Sequence, residues 1–98
     1  MRGQELILPA SAYAETLVDP WRAGANSVTV VKGFLAELGV RIEPLTANVA
    51  ERAARLRSIH RGLRLPDALV LATAEALDAV ALTADRRWQR VSRRARIL

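Results

Sequence analysis

The stretch Leu65-Pro66-Asp67-Ala68-Leu69-Val70-Leu71-Ala72-Thr73-Ala74 is apolar nearly all round at helical spacing, with one carboxylate at its start. A helix without a polar stripe must be covered on all sides, so this segment predicts a buried, alanine-rich helix lying close against a sheet. After it, Ala79 to Thr83 is apolar on both faces, as a strand in a parallel sheet is, and Asp85 closes it. Desolvating a carboxylate is costly unless it is paired or binds a cation. Acids at the mouths of two core elements therefore mark a candidate inward-facing site.

Punctuation divides the rest of the chain into short strands and helices. Leu6-Ile7-Leu8 reads as a strand stopped by Pro9; Ser11 is placed to cap a helix over Ala12 to Val18, which Asp19-Pro20 should break. Gly24-Ala25-Asn26 reads as a turn. Beyond it Val28, Val31, Leu35 and Leu38 recur at helical spacing up to Gly39. The β-branched run Val28-Thr29-Val30-Val31 argues for a strand, but the longer window favours a helix. Val40 to Pro44 alternates like a strand. Thr46 or Asn48 then caps a helix whose stripe is Val49, Ala53, Leu56 and Ile59 or His60; Asn48 and Glu51 have capping-box spacing, and Glu51 with Arg55 is a favourable helical pair. Gly62 closes it. Pro66 suits the first helical position and puts Asp67 in the first turn, where the helix dipole favours negative charge. A short helix over Arg86 to Ser92 and a strand over Ala95 to Leu98 complete the pattern.

Strands alternating with helices predict an α/β fold, a small open and mostly parallel sheet flanked by helices, forming a single domain over 1–98. At this length a core is feasible but thin. There is no cysteine, which excludes disulfides and thiolate metal sites and fits a reducing compartment. No apolar run approaches a membrane span and the first residues lack the pattern of a signal peptide, so a cytoplasmic protein without membrane association is expected. The net charge is +5 and Lys32 is the only lysine. Guanidinium forks pair bidentately with phosphate, so the balance leans toward a polyanionic partner.

Open parallel sheets bind ligands beyond the carboxyl ends of their strands, which is where Asp85 is expected. Glu15, in the helix after the first strand, and Asp67 join it as candidates for one edge of the sheet. Oxygen-only ligands suit Mg²⁺ or Mn²⁺, hard cations that bridge to phosphate and activate water. His60 is the only histidine and sits by an apolar stripe, where packing outweighs ligation. Trp88 reads as a core anchor. Trp21, after a proline, reads as a loop residue open to a partner. Arg86, Arg87, Arg90, Arg93, Arg94 and Arg96 crowd the end of the chain, a cluster able to hold a polyanion's phosphates beside Asp85 or to mask the acidic site.

The segments Ser11-Ala12-Tyr13-Ala14-Glu15, Leu65 to Ala74 and Leu82-Thr83-Ala84-Asp85-Arg86-Arg87-Trp88 together resemble the PIN-domain ribonucleases, particularly the VapC toxins of type II toxin-antitoxin pairs. The most specific part is the Asp-Ala-Leu helix followed by Leu-Thr-x-Asp with an aromatic three residues on. The resemblance implies Mg²⁺- or Mn²⁺-dependent cleavage of RNA, with Glu15, Asp67 and Asp85 as catalytic and metal-binding acids and Thr83 as an accessory polar group. It also implies a VapB-like antitoxin and a homodimer as partners, with Arg86, Arg87 and Arg90 toward the RNA.

In one respect the pattern departs from that family. PIN domains open with a strand ending in aspartate, and nothing before Leu6 supplies either. That strand is central in the family's sheet, so such a chain must close the gap, leave it open or borrow a strand. The expectation is an N-terminally truncated gene or misplaced start codon, with weak or no activity because fewer carboxylates hold the cation. The alternative reading is a non-catalytic basic module that binds RNA or an antitoxin.

Overall fold

The computed structural model describes residues 6–83 and 95–97, and the side chains of those up to Ala81. The elements run β1 (Ile7–Pro9), α1 (Ala10–Ala23), α2 (Ala25–Glu37), β2 (Arg41–Glu43), α3 (Ala47–Ile59), α4 (Leu65–Ala76), β3 (Ala81–Thr83) and β4 (Ala95–Ile97). They fall into two compact units, Met1–Pro44 and Leu45–Leu98. Both ladders are parallel, so the α/β class expected from the sequence holds. Among the described residues each unit carries a two-stranded ladder, β1 with β2 and β3 with β4.

In the first unit, Ile7 pairs with Arg41 and Pro9 with Glu43. The helix after β1 departs from expectation in three ways. It starts at Ala10, so Ser11 lies inside its first turn, and its N-cap is Pro9 with no side-chain bond. It also runs through Asp19-Pro20 to Ala23. Proline in a helix interior forfeits one backbone bond, at a cost of about 3 kcal/mol. Here the ladder resumes beyond it, because the Gly24 N–H reaches the Pro20 carbonyl at 3.0 Å. Asp19 is consequently a helical residue, paired with Arg22 at 3.3 Å on the exposed surface, and not a terminator. Trp21 stands on this helix rather than in a loop, and is 61% exposed.

Gly24, at φ 130°, is the break between α1 and α2, a conformation that L side chains rarely adopt. The 25–37 segment is helical despite its β-branched run. Val28 is buried, Val31 and Leu35 are half-buried, and Leu38 at the end of the expected stripe is exposed. Gly39 stops the helix as anticipated. At φ 69° it lets its own N–H reach Ala36 O at 3.0 Å and the Val40 N–H reach Leu35 O at 3.0 Å, a paired closure of the last turn.

The second unit holds the larger core. Thr46, not Asn48, caps α3, its hydroxyl accepting the Val49 N–H at 3.2 Å. Glu51 and Arg55 form no ion pair among the described residues. Val49 and Ala53 are buried and Leu56 packs beside them, while the stripe ends at half-buried His60 and leaves Ile59 exposed. These side chains meet Ala68, Leu71, Ala72 and Ala74 of α4, together with Leu63 and Ala81. The apolar helix is therefore largely covered between Ala68 and Ala74, with Leu69 and Val70 partly buried and Leu65 at its start 48% exposed. Its buried Thr73 hydroxyl donates to Leu69 O at 2.8 Å. Pro66 falls one position later than expected, after Leu65, and Asp67 is in the first turn as read. The stop of α4 was not visible in the sequence: Asp78 takes φ 53°, and the Ala79 N–H closes on Ala74 O at 2.8 Å. β3 then pairs with β4, Ala81 opposite Ala95 and Thr83 opposite Ile97.

Leu71 is fully buried at 0% exposure, so Leu71→Ala should cost about 2–5 kcal/mol. Removing the α3 cap with Thr46→Ala should cost about 1 kcal/mol, and Val30→Ala, at a position 70% exposed, should stay within about 0.5 kcal/mol. Urea unfolding followed by circular dichroism ranks the three. A Leu71→Ala protein no weaker than Val30→Ala would remove α4 from the core.

Candidate functional site

Asp67 is the best-placed of the predicted acids. Arg64 is the N-cap of α4, offering no side-chain bond to the first turn, and its carbonyl accepts the Ala68 N–H at 2.9 Å. Two residues after the cap comes Pro66, which lacks an N–H, and then the half-buried Asp67. Ala68 and Leu71, one position and one turn further on, are fully buried. The carboxylate is thus held on a rigid turn at the edge of the core. Among the described residues it has neither hydrogen bond nor ion pair. A half-desolvated carboxylate without a protein partner is the kind of group a cation stabilises.

Thr83 is the last residue of β3, which follows α4 after a short turn and packs against it, with Ala81 in the shared core. Asp85 lies outside the described residues, as do Arg86, Arg87, Trp88 and Arg90.

Glu15 belongs to the other unit. It is exposed on α1, with no partner among the described residues, one turn before Asp19 of the Asp19–Arg22 pair. The described residues contain no cluster of three or more histidine, cysteine, aspartate or glutamate side chains able to hold a metal. His60 is half-buried at the C-cap of α3, its N–H on Leu56 O at 2.9 Å, in line with the packing role.

A second group around Asp67 escaped the sequence reading, which fixed on the arginines at the chain's end. Arg57, Arg61 and Arg64 precede Asp67, and between Arg52 and Ala74 it is the only acid. All three arginines are exposed; Arg57 is in the last turn of α3, and the turn that carries Arg61 and Arg64 is pinned: Leu63 is buried, its N–H bonds His60 O at 3.0 Å, and Arg57 Nε donates to Leu63 O at 3.1 Å. The signal available was the alternation of arginines with a single buried leucine.

The family described as PIN domain matches residues 1–94. No curated protein and no solved structure matches the chain. Parallel α/β ladders, a largely buried helix opening on an aspartate without a side-chain partner among the described residues, and a family match over nearly the whole length lead to one assignment: the chain belongs to the PIN domain family.

Proposed function

We propose that this chain is a VapC-like ribonuclease toxin, in which Asp67, Asp85 and Glu15 hold Mg²⁺ or Mn²⁺ and Thr83 assists. PIN domains are generally divalent-metal-dependent nucleases acting on RNA or DNA. The observation that carries the reading is Asp67, half-buried at the mouth of the core with no partner among the described residues. An oxygen-only donor set of this kind fits a hard cation. When bound, such a cation supplies Lewis-acid stabilisation and a nucleophilic water for phosphodiester hydrolysis.

The chain's own contribution is position and charge. Burial of Ala68 and Leu71 fixes the first turn of α4, so the Asp67 carboxylate does not have to be ordered when RNA arrives. Thr83, at the carboxyl end of β3, offers a hydroxyl that accepts from or donates to a nearby water or phosphate oxygen. Arg86, Arg87 and Arg90 supply phosphate contacts that hold the strand without reading its bases.

In this reading both units form one PIN-like domain of a cytoplasmic protein, with a VapB-like antitoxin and a second copy as partners. No described helix is long and apolar enough to cross a membrane. Support for a protein partner comes from α2, where Val30, Phe34 and Leu38 recur every four residues at 70%, 60% and 49% exposure. That same row supports the second reading, a non-catalytic module whose RNA or antitoxin binding ignores metal.

The purified chain should cleave single-stranded RNA with Mg²⁺ or Mn²⁺, however slowly, and EDTA should stop it. Asp67→Asn and Asp85→Asn should each lower the rate by at least about 100-fold, with circular dichroism unchanged. Cleavage that persists in EDTA, or an Asp67→Asn enzyme as fast as the parent, sinks the nuclease reading. RNA binding without any metal-dependent cleavage supports the binding module instead.

A further inference from the structure

We propose that the turn joining α3 to α4 is a phosphate clamp for single-stranded RNA, in which Arg61 and Arg64 make the contacts and Arg57 positions the turn. The inference deepens the RNA-cleavage reading by naming the side chains of this unit that hold the substrate beside Asp67.

Exposed arginines are ordinarily solvated, so three features of this turn matter. First, the Arg61 and Arg64 side chains form no ion pair or hydrogen bond among the described residues, and Asp67 is the only acid from Arg52 to Ala74. Their charge is left for a partner. Second, the turn is rigid. Leu63 is 6% exposed between the two arginines, its N–H bonds His60 O at 3.0 Å, and its carbonyl accepts Arg57 Nε at 3.1 Å. A long side chain on a fixed backbone loses less freedom on binding than one on a loose loop.

Third, the turn feeds into the first turn of α4, whose N-cap Arg64 leaves the leading N–H groups without a side-chain acceptor. That helix end is short of negative charge on its own account. Guanidinium forks match phosphate oxygens in pairs, and a helix start adds dipolar attraction of the same sign. Arg64 and Asp67 lie within one helical turn of each other. A strand held there passes the carboxylate to which the cleavage chemistry is assigned. These contacts go to the backbone, so they carry affinity and register but no base preference.

The test is RNA binding in EDTA, where cleavage plays no part. Anisotropy of a fluorescent 12-nucleotide polyuridine is titrated at several salt concentrations against the parent chain, Arg61→Gln/Arg64→Gln, Arg61→Lys/Arg64→Lys, and the control Arg52→Gln/Arg55→Gln. The control removes the same charge from exposed positions on α3. The clamp predicts that the 61/64 glutamine pair binds at least about tenfold more weakly, with a log affinity against log salt slope shallower by about 1.4. The lysine pair keeps most of the slope, and the control stays near the parent. Arg57→Met should lower affinity while keeping most of the slope, because it loosens the turn without removing the two contacts.

Equal losses in the 61/64 and 52/55 glutamine pairs would reduce the effect to diffuse charge and overturn the clamp. So would parental binding by the 61/64 glutamine pair, no polyuridine binding by the parent at low salt, or tighter binding of a polyglutamate peptide of matched length. If the glutamine pair melts early, a lysine pair that melts normally yet shows the same shallower salt slope as the glutamine pair is equally fatal. Failure of the nuclease reading shows separately, as intact salt-sensitive binding with no metal-dependent cleavage.

Discussion

The second unit depends on covering most of one helix, Ala68 to Ala74. α4 offers no polar stripe to water, and its Ala68, Leu71 and Ala72 reach 0% exposure. Alanine makes this possible at small size, because helices meeting through alanine approach closely and leave little volume for longer side chains to fill. Ala53 of α3, also at 0%, supplies the complementary surface. The one buried polar side chain, Thr73, turns its hydroxyl back on the Leu69 carbonyl, and no buried side-chain polar atom among the described residues is left without a partner. Since that packing fixes the helix, it also fixes where the helix begins, and Asp67 is set there.

The first unit is stabilised differently. Val28 is its only fully buried hydrophobic among the described residues, and α1 buries none. Its order rests more on local closures: the Gly24 break, the paired bonds after Gly39, and the parallel ladder that starts with Arg41 N–H on Leu6 O at 2.8 Å. Apolar side chains consequently remain on its surface, Phe34 and Trp21 among them. Surface of this kind is where a small domain gains stability from association, because its own volume cannot bury it.

What the sequence disclosed followed the strength of each physical signal. The burial of 65–76 was legible because no other disposition of so many apolar residues is soluble. The helix at 25–37 was legible because a stripe three and four residues apart outweighed a β-branched run that favours strands only by tenths of a kcal/mol per residue. Proline misled at position 20: its rule concerns one lost bond, and the Gly24 N–H on Pro20 O carries the helix past it. Asp78 gave no warning, since aspartate at positive φ is uncommon and only the backbone reveals it. The acids were chosen by chemistry; of these, only Asp67 acquires a described environment in the larger core, because Glu15 is exposed on α1 and Asp85 lies outside the described residues. Arg57, Arg61 and Arg64 were overlooked because a basic run reads as solvated until a buried Leu63 shows that the turn between them is fixed.

The charge arrangement around α4 has a consequence for the order of events in the proposed site. Between Arg52 and Ala74 the chain carries Arg57, Arg61 and Arg64 against the one carboxylate of Asp67, so this stretch is net positive. Two unit charges at 4 Å near a protein surface interact by about 4 kcal/mol at an effective dielectric of 20. In the proposed site, arginines held beside the bound strand would oppose a dication at Asp67 while they attract a phosphate. RNA bound on the turn neutralises them and adds phosphate oxygens, so the cation's affinity rises once the strand is in place. By linkage the converse holds to the same factor, and RNA binds more tightly when the cation is present. An acidic site flanked by arginines is thus self-masking without substrate, and its chemistry is confined to the moment when a polyanion lies across it.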